Sequence, residues 1–196
     1  MAGPRGEYRK SAERRAQILD AAFHVFARNG YSAASMNEIA RAVGVTQTAV
    51  LHHFAGGKIT LLRAVLEQRD ARAEGTLVDR RGRDFLAGLI EIARSQESQR
   101  GAVQLYCTLS AEAVDPEHPA HEYFLRRLHR IVDGVTQAFV EVAANGGLRD
   151  GIDPRDAALR TVAMTEGVEL LWLRGLLEDM ATSIHEFIDS FLDSPL

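Results

Sequence analysis

Residues 46–49 have the chemistry that a protein needs to read the edges of DNA bases. Thr46, Gln47 and Thr48 carry hydrogen-bonding side chains, and Ala49 is small enough to permit close approach. A glutamine amide can form two hydrogen bonds with adenine, so Gln47 is the strongest candidate for direct readout. Taken alone, these residues fit a merely polar helix start better. The elements around them reverse that preference.

Helix start and stop signals surround this segment. Ser35 is a predicted N-cap, and Glu38 follows it at the spacing of a capping box. Gly44 can end that short helix, and Thr46 then caps the next one, which runs to about His53. Two short helices joined by a tight turn, with a longer helix before them, are typical of a helix-turn-helix. The second helix of such a pair fits the major groove, which is about 12 Å wide.

Apolar residues recur with helical spacing along almost the whole chain, which predicts an all-α fold. The first helix is expected to start near Ser11, after a flexible basic arm, and to stop at Asn29-Gly30. Asp153 and Pro154 mark the start of a helix with apolar residues on more than one face. The final helix carries an apolar stripe from Ile184 onwards. We therefore expect these last two helices to pack partly outside their own chain.

Charge is distributed unevenly along the 196 residues. Residues 1–63 contain nine basic residues against four acidic ones, a formal charge of +5, and the remainder carries −9, for a net charge of −4. A basic first third can approach a polyanion, although an ordinary solvated surface explains the charge equally well. With one cysteine and no signal peptide or long apolar run, the sequence predicts a cytoplasmic protein without an intramolecular disulfide or a membrane partner.

Other reactive residues form no convincing catalytic or metal site. His52 and His53 are adjacent, so on a helix they point about 100° apart and cannot chelate one metal ion. His118 and His121 are interpreted as part of a solvated loop, and Cys107 as a buried apolar residue. We expect no catalytic residues, metal or cofactor. The rival class is a helical enzyme that uses Tyr106, Glu166 or a histidine for acid-base chemistry, but this class leaves the helix-turn-helix unexplained.

Residues 16–66 resemble the DNA-binding domain of the TetR family of bacterial transcriptional regulators. The agreeing positions are Ile18, Ala22, Phe26, Asn29, Gly30, Tyr31, Ser35, Ile39, Ala40, Gly44, Val45, Thr46, His53, Phe54, Leu61 and Leu62. The resemblance implies a homodimer that places two recognition helices in successive major grooves of a pseudo-palindromic operator. It also implies that the remaining helices dimerise and bind a small-molecule effector.

Family positions that contact DNA can be transferred to this sequence one by one. The resemblance implies DNA contacts for Ser35, Met36, Thr46, Gln47, Thr48, Ala49, His52, His53 and Lys58. Two departures affect this transfer. Leu51 stands where the family very often has a phosphate-contacting tyrosine, and residues 54–58 contain one residue more than the usual loop, which alters the register of Lys58.

The sequence thus predicts a sequence-specific DNA-binding regulator rather than an enzyme, with residues 1–10 as the basic arm, 11–58 as the helix-turn-helix domain and 59–196 as the larger helical domain. A repressor released by an effector is the leading hypothesis. A ligand-independent or activating regulator is the alternative. Candidate effector-binding residues, which equally describe an ordinary core, are Phe85, Leu89, Tyr106, Leu109, Phe124, Leu128 and Trp172. Dimerisation is expected through the helices that start near Asp153 and Ile184.

Overall fold

A computed structural model describes residues 4–196, with side chains for residues 9–68, 70 and 75–196. Over this range the chain is helical, apart from turns and one isolated β-bridge between Leu148 and Leu192. The helices are α1 (Pro4–Ala33), α2 (Met36–Val43), α3 (Gln47–His53), α4 (Lys58–Leu77), α5 (Gly82–Glu97), α6 (Arg100–Glu112), α7 (His121–Ala144), α8 (Pro154–Leu173) and α9 (Met180–Asp189). The predicted all-α fold is confirmed. None of these helices is long and apolar enough to cross a membrane within the described part of the chain.

Helix α1 differs from the sequence-based expectation at its start. It begins at Pro4 rather than near Ser11, so the segment expected as a flexible arm is helical from residue 4, and residues 1–3 lie outside the described range. Proline is favoured in the first turn of a helix because that turn does not need its N–H. Near the other end, Gly30 interrupts the helix with φ 72° and ψ −175°, as the Asn29-Gly30 pair predicts. This backbone region is essentially restricted to glycine.

The chain divides into two compact units. The first consists of Met1–Asp70 together with Gln104–Ala120, and the second of Ala71–Val103 together with His121–Leu196. In the first unit, α1 packs against α2 and α2 packs against α3. The buried core of the first unit includes Ile18, Ala22, Phe26, Ile39, Val50, Phe54, Leu61 and Leu62. Several of these apolar positions are those that carry the family resemblance.

The second unit is built from α5, α7, α8 and α9, with α7 against α5 and α8, and α9 against α5 and α8. The Asp179 carboxylate caps α9, and the Glu97 carboxylate accepts from the N–H of Met180 at 2.7 Å. The apolar stripe that starts on α9 and continues just beyond it is turned inward: Ile184, Ile188 and Leu192 are at most 2% exposed. The expectation that this stripe packs outside its own chain is therefore wrong for these three residues, because the second unit itself covers them.

Candidate nucleic-acid interface

The predicted helix-turn-helix is present with its termini where the sequence signals place them. The Ser35 hydroxyl accepts from the N–H of Glu38 at 3.1 Å and starts α2. Gly44 ends α2 in the left-handed conformation, with φ 71°. The Thr46 hydroxyl then accepts from the N–H of Ala49 at 3.2 Å and starts α3. These two side-chain caps satisfy backbone donors that a helix N-terminus leaves unpaired.

Helix α3 buries one side and leaves its N-terminal residues open. Val50 is completely buried against the first unit, whereas Gln47 and Thr48 are exposed. Thr46 is exposed as well, and Ala49 is half-buried between the two faces. A hydrogen-bonding surface of this kind can meet base edges without unfolding the helix. The four residues singled out from the sequence thus lie on one short, accessible segment.

The other candidate DNA contacts lie around this segment with different exposure. Ser35 and His52 are exposed, and Met36 and His53 are half-buried. Leu51, at the position of the family's usual tyrosine, is 37% exposed. A leucine side chain cannot donate to a phosphate, so the hydrogen bond of that tyrosine has no counterpart at this position.

Glu38 holds α1 and α2 together instead of completing a capping box. Its carboxylate accepts from Nδ2 of Asn29 at 3.0 and 3.1 Å and from the guanidinium of Arg28 at 2.8 Å. A capping box would have required the same carboxylate to return to the N–H of Ser35. Here the Glu38 carboxylate binds the side chains of Arg28 and Asn29 near the end of α1 instead. The predicted cap of α2 is thus confirmed for Ser35 and wrong for Glu38.

Lys58 is placed differently from the phosphate contact that the resemblance implies. Its ammonium group donates to the carbonyl oxygens of Tyr31 at 2.8 Å and Ala34 at 2.9 Å, and lies 3.4 Å from that of Ser32. It also lies 4.3 Å from the centroid of the Tyr31 ring. Burial raises the pKa of the Tyr31 hydroxyl above its ordinary value. The donors of Lys58 are therefore engaged in closing the end of α1.

The longer loop before Lys58 closes as a turn. The N–H of Gly57 donates to the carbonyl oxygen of Phe54 at 2.8 Å, and Gly57 adopts φ 69°. Phe54 itself is buried and lies under the guanidinium of Arg15, 4.6 Å from the ring centroid. The extra residue is accommodated in this turn, so Lys58 still begins α4 and reaches the end of α1.

Part of the positive charge of the first unit is used to hold its helices together. Arg28 binds Glu38, Arg15 covers Phe54 and Lys58 binds backbone carbonyls. Other cations of the same unit are exposed on its surface: Lys10, Arg14, Arg41 and Arg63. Exposed cations attract a polyanion at long range and account for much of the affinity of DNA-binding proteins.

The candidate effector residues are divided between the two units. Tyr106 and Leu109 are buried in the first unit, and the second unit contains Phe85, Leu89, Phe124, Leu128 and Trp172. Phe124 is buried, and the other four are half-buried. The guanidinium of Arg100 lies 5.2 Å from the centroid of the Trp172 ring. The effector assignment therefore stays a prediction.

Two further sequence interpretations need correction. His118 is not solvated: its side chain is 6% exposed, its Nδ1 accepts from the N–H of Ala120 at 3.2 Å, and its ring packs edge-on against Tyr31. Cys107 is half-buried rather than fully buried. Neither placement could be derived from helical spacing, because each depends on which other segment packs against the residue.

A capped, exposed α3 behind a tight glycine turn defines the chain as a helix-turn-helix protein. Residues 18–65 match the sequence model described as bacterial regulatory proteins of the tetR family. Curated relatives and solved structures agree with this match over longer stretches of the chain. Residues 18–65 are thus similar to the segment that defines the tetR family of bacterial regulatory proteins, and the fold of the chain is similar to that of a solved TetR-family regulator.

Three relatives indicate the range of the family that this chain resembles. The transcriptional regulator SrpR of Pseudomonas putida is 30% identical over 137 residues, which cover 65% of this chain and 64% of SrpR. The transcriptional activator FasR of Mycolicibacterium smegmatis is 44% identical over 64 residues, 33% of this chain and 29% of FasR. The chain thus spans less than two thirds of either protein. The structure of NalD, the secondary repressor of the MexAB-OprM efflux pump in Pseudomonas aeruginosa, matches with 27% identity and a TM-score of 0.71, over 92% of this chain and 95% of NalD.

Proposed function

We propose that this protein is a sequence-specific transcriptional regulator that inserts the N-terminal end of α3 into the major groove of DNA. The observation that carries the proposal is the exposure of Gln47 and Thr48 on a helix whose opposite side is anchored by buried Val50. Gln47 would read base edges, and Thr46, Thr48 and Ser35 would contact the backbone or bases with their hydroxyl groups. Binding to chromosomal DNA would place the protein in the bacterial cytoplasm.

The contacts of the remaining candidate residues follow from their exposure. His52 is exposed and can reach a phosphate, while half-buried Met36, Ala49 and His53 can only contribute at the edge of the interface. Lys58 is left out of this proposal because its ammonium group already binds two backbone carbonyls. The non-specific attraction would come instead from exposed Arg14 and Arg41.

We propose that the regulator acts as a homodimer through the exposed apolar face of α8. Leu159 is 48% exposed and Leu170 is 41% exposed, and they lie about three helical turns apart on one side of the helix. Leu171, 43% exposed, widens that face. The contribution of α9 to the dimer would be smaller than the sequence suggests, because Ile184 and Ile188 are covered by their own chain. A twofold dimer matches a pseudo-palindromic operator.

Release from the operator by a small-molecule effector is the mode of regulation that we propose. An effector that binds better to a conformation with wrongly spaced recognition helices shifts the population away from DNA. NalD is described as a repressor, which supports this sign of regulation. FasR is described as an activator, so an activating or ligand-independent regulator is the second candidate. The relatives are described as transcriptional regulators, which favours either kind of regulator over a helical enzyme.

The test is binding-site selection with the purified full-length protein on fragmented genomic DNA, followed by footprinting of the enriched fragments. We expect a short protected site with inverted half-sites about one helical turn apart. Each metabolite of a panel is then added to the complex, and release identifies an effector. A Gln47→Ala variant is the matched control for specificity. Equal retention of all fragments by the unaltered protein would contradict the proposal.

A further inference from the structure

A short hydrogen bond joins the two sequence segments of the first unit. The N–H of Tyr31 donates to a carboxylate oxygen of Glu112 at 2.6 Å. Glu112 is the last residue of α6, while Tyr31 follows the break in α1. A charge-assisted hydrogen bond of this length is stronger than a neutral one. The helix-turn-helix segment is thus tied directly to a residue far along the sequence.

Gly30 makes room for this carboxylate. A Cβ atom added to Gly30 would lie 2.2 Å from Oε1 of Glu112 and 2.7 Å from its Cδ. Both distances are far shorter than van der Waals contact. The conformation of Gly30, with φ 72° and ψ −175°, breaks the helix just before Tyr31, and its missing side chain leaves room for Glu112 to approach the N–H of Tyr31.

The corner between α1 and α2 is held by charged groups from three helices. Glu38 of α2 binds the side chain of Asn29, Lys58 of α4 binds the carbonyl oxygens of Tyr31 and Ala34, and Glu112 of α6 binds the N–H of Tyr31. This corner directly precedes Ser35, the N-cap of α2. Because α2 leads into α3 through a single tight turn, the geometry of the corner sets the direction of both helices.

The carboxylate of Glu112 is kept in place by buried neighbours. His118 Nε2 lies 3.6 Å from it, and the His118 ring packs edge-on against Tyr31 with centroids 5.2 Å apart. The Nδ1 atom of His118 accepts from the N–H of Ala120, which fixes the orientation of the ring. Residues 104–120 accordingly cluster with the helix-turn-helix rather than with the second unit.

We propose that Glu112 is a positioning residue for DNA binding: through the N–H of Tyr31 it fixes the corner that orients α2 and α3. The proposal rests on the proposed function and adds a residue that would not itself touch DNA. DNA affinity then depends on an acceptor at the end of α6, although that residue lies outside the segment that matches the family model.

The experiment compares Glu112→Ala with Glu112→Gln in the full-length protein on an operator selected by the unaltered protein. Glu117→Ala is the matched control, since Glu117 is an exposed glutamate of the following turn. We expect Glu112→Ala to bind about tenfold more weakly, the usual effect of losing one charged hydrogen bond. The glutamine amide still offers an oxygen to Tyr31, so Glu112→Gln should stay within about threefold of the parent.

A second measurement separates positioning from a general loss of stability. The amide resonance of Tyr31 should shift in Glu112→Ala and be restored in Glu112→Gln, while the circular dichroism of both variants stays that of the parent. If Glu112→Ala unfolds, Glu112→Asp replaces it, because it keeps the charge but is too short by one methylene group to reach Tyr31.

The possible outcomes distinguish this proposal from the proposed function. Unaltered protein that retains no DNA selectively overturns both. Selective binding by the unaltered protein, with Glu112→Ala or its folded substitute as tight as Glu117→Ala, overturns the positioning role alone. The positioning role is supported if Glu112→Ala loses DNA affinity and Glu112→Gln restores it. The Tyr31 amide resonance should then shift in Glu112→Ala and return in Glu112→Gln.

Discussion

The ammonium group of Lys58 donates to the carbonyl oxygen of Tyr31 at 2.8 Å while lying 4.3 Å from the centroid of the same residue's ring. One cation thereby satisfies an orphan carbonyl at the end of α1 and stacks on the aromatic side chain beside it. Both contacts are favourable because helix C-terminal carbonyls carry partial negative charge and a ring face attracts cations. Lys58 is thus a structural residue of the first unit.

Replacement of Lys58 by methionine should therefore lower the free energy of unfolding and leave the salt dependence of DNA binding nearly unchanged. The methionine keeps the aliphatic stem but leaves two carbonyl oxygens without their charged donor, a loss of about 1 to 3 kcal/mol in the free energy of unfolding. Thermal and urea unfolding of the full-length protein measure it. The slope of log K against log salt concentration should stay close to that of the parent.

The matched control is Arg63→Ala, which removes an exposed cation from α4 without disturbing these carbonyls. A Lys58→Met protein that is as stable as its parent but has a salt slope smaller by about one would show that Lys58 contacts phosphate after all.

Local signals along the sequence predicted the helix-turn-helix well. Ser35, Gly44 and Thr46 act on backbone groups within three or four residues of themselves, so their roles depend on little beyond their neighbours. The partners of the charged residues that fix the corner were not predicted: Glu38 was expected in a capping box, Lys58 at a phosphate, and Glu112 was not singled out. Glu38 reaches back to Asn29, Lys58 to Tyr31 and Glu112 to Tyr31, across 9, 27 and 81 positions. Residue type gives no signal for such partners, because they are chosen by the packing of whole helices.

The same limit explains the apolar stripe of α9 and the burial of His118. Helical spacing identifies which residues share a face, but not whether that face meets another helix of the same chain or of a partner. Ile184 and Ile188 are covered by helices of their own chain, whereas Leu159 and Leu170 stay partly exposed on α8. The prolines around His118 indicated a loop, yet the ring packs against Tyr31.

Gln47→Ala should change sequence preference and leave non-specific binding intact. The amide can discriminate one base pair through two hydrogen bonds, so its loss should cost about 1 to 3 kcal/mol on the selected operator and almost nothing on random duplex. Fluorescence anisotropy on both DNAs measures the difference. His52→Ala, at an exposed position proposed to contact phosphate, should instead weaken both DNAs alike. Unchanged operator affinity in Gln47→Ala would show that Gln47 does not read the base edges.

Thr46→Ala should loosen α3 by removing its N-cap. Loss of the 3.2 Å hydrogen bond to the N–H of Ala49 is expected to reduce stability by about 1 kcal/mol. Hydrogen exchange at the α3 amides should rise accordingly. Thr46→Ser keeps the hydroxyl and should restore both quantities. Equal exchange in the alanine and serine variants would mean that the cap does not stabilise α3.

The Asp179 carboxylate, which caps the start of α9, should make the free energy of unfolding depend on pH in the acid range. The N–H of Thr182, and then its hydroxyl, donate to the carboxylate and hold the pKa of Asp179 below its ordinary value. A lowered folded-state pKa stabilises the protein above the unfolded-state pKa, and this contribution is lost as the pH falls through the folded-state value. Asp179→Asn should therefore be less stable than the parent at pH 7, by at most about 0.5 kcal/mol for so exposed a group. The difference should vanish in strong acid.

Urea unfolding at a series of pH values measures this convergence. Glu178→Gln provides the comparison, because it removes the neighbouring exposed charge without touching the cap. A stability difference for Asp179→Asn that is the same at every pH would contradict the assignment.

Leu170→Glu should separate the protomers and thereby weaken operator binding. The substitution puts a carboxylate on the exposed apolar face of α8, where a twofold partner would bring a second carboxylate close to it. Sedimentation equilibrium should show monomers with the parent's helical content, and operator affinity should fall at least tenfold because one recognition helix then holds the DNA alone. Leu176→Glu is the matched control, since Leu176 is 74% exposed beyond the end of α8 and should tolerate the charge. Stable dimers of Leu170→Glu would place the interface elsewhere on the second unit.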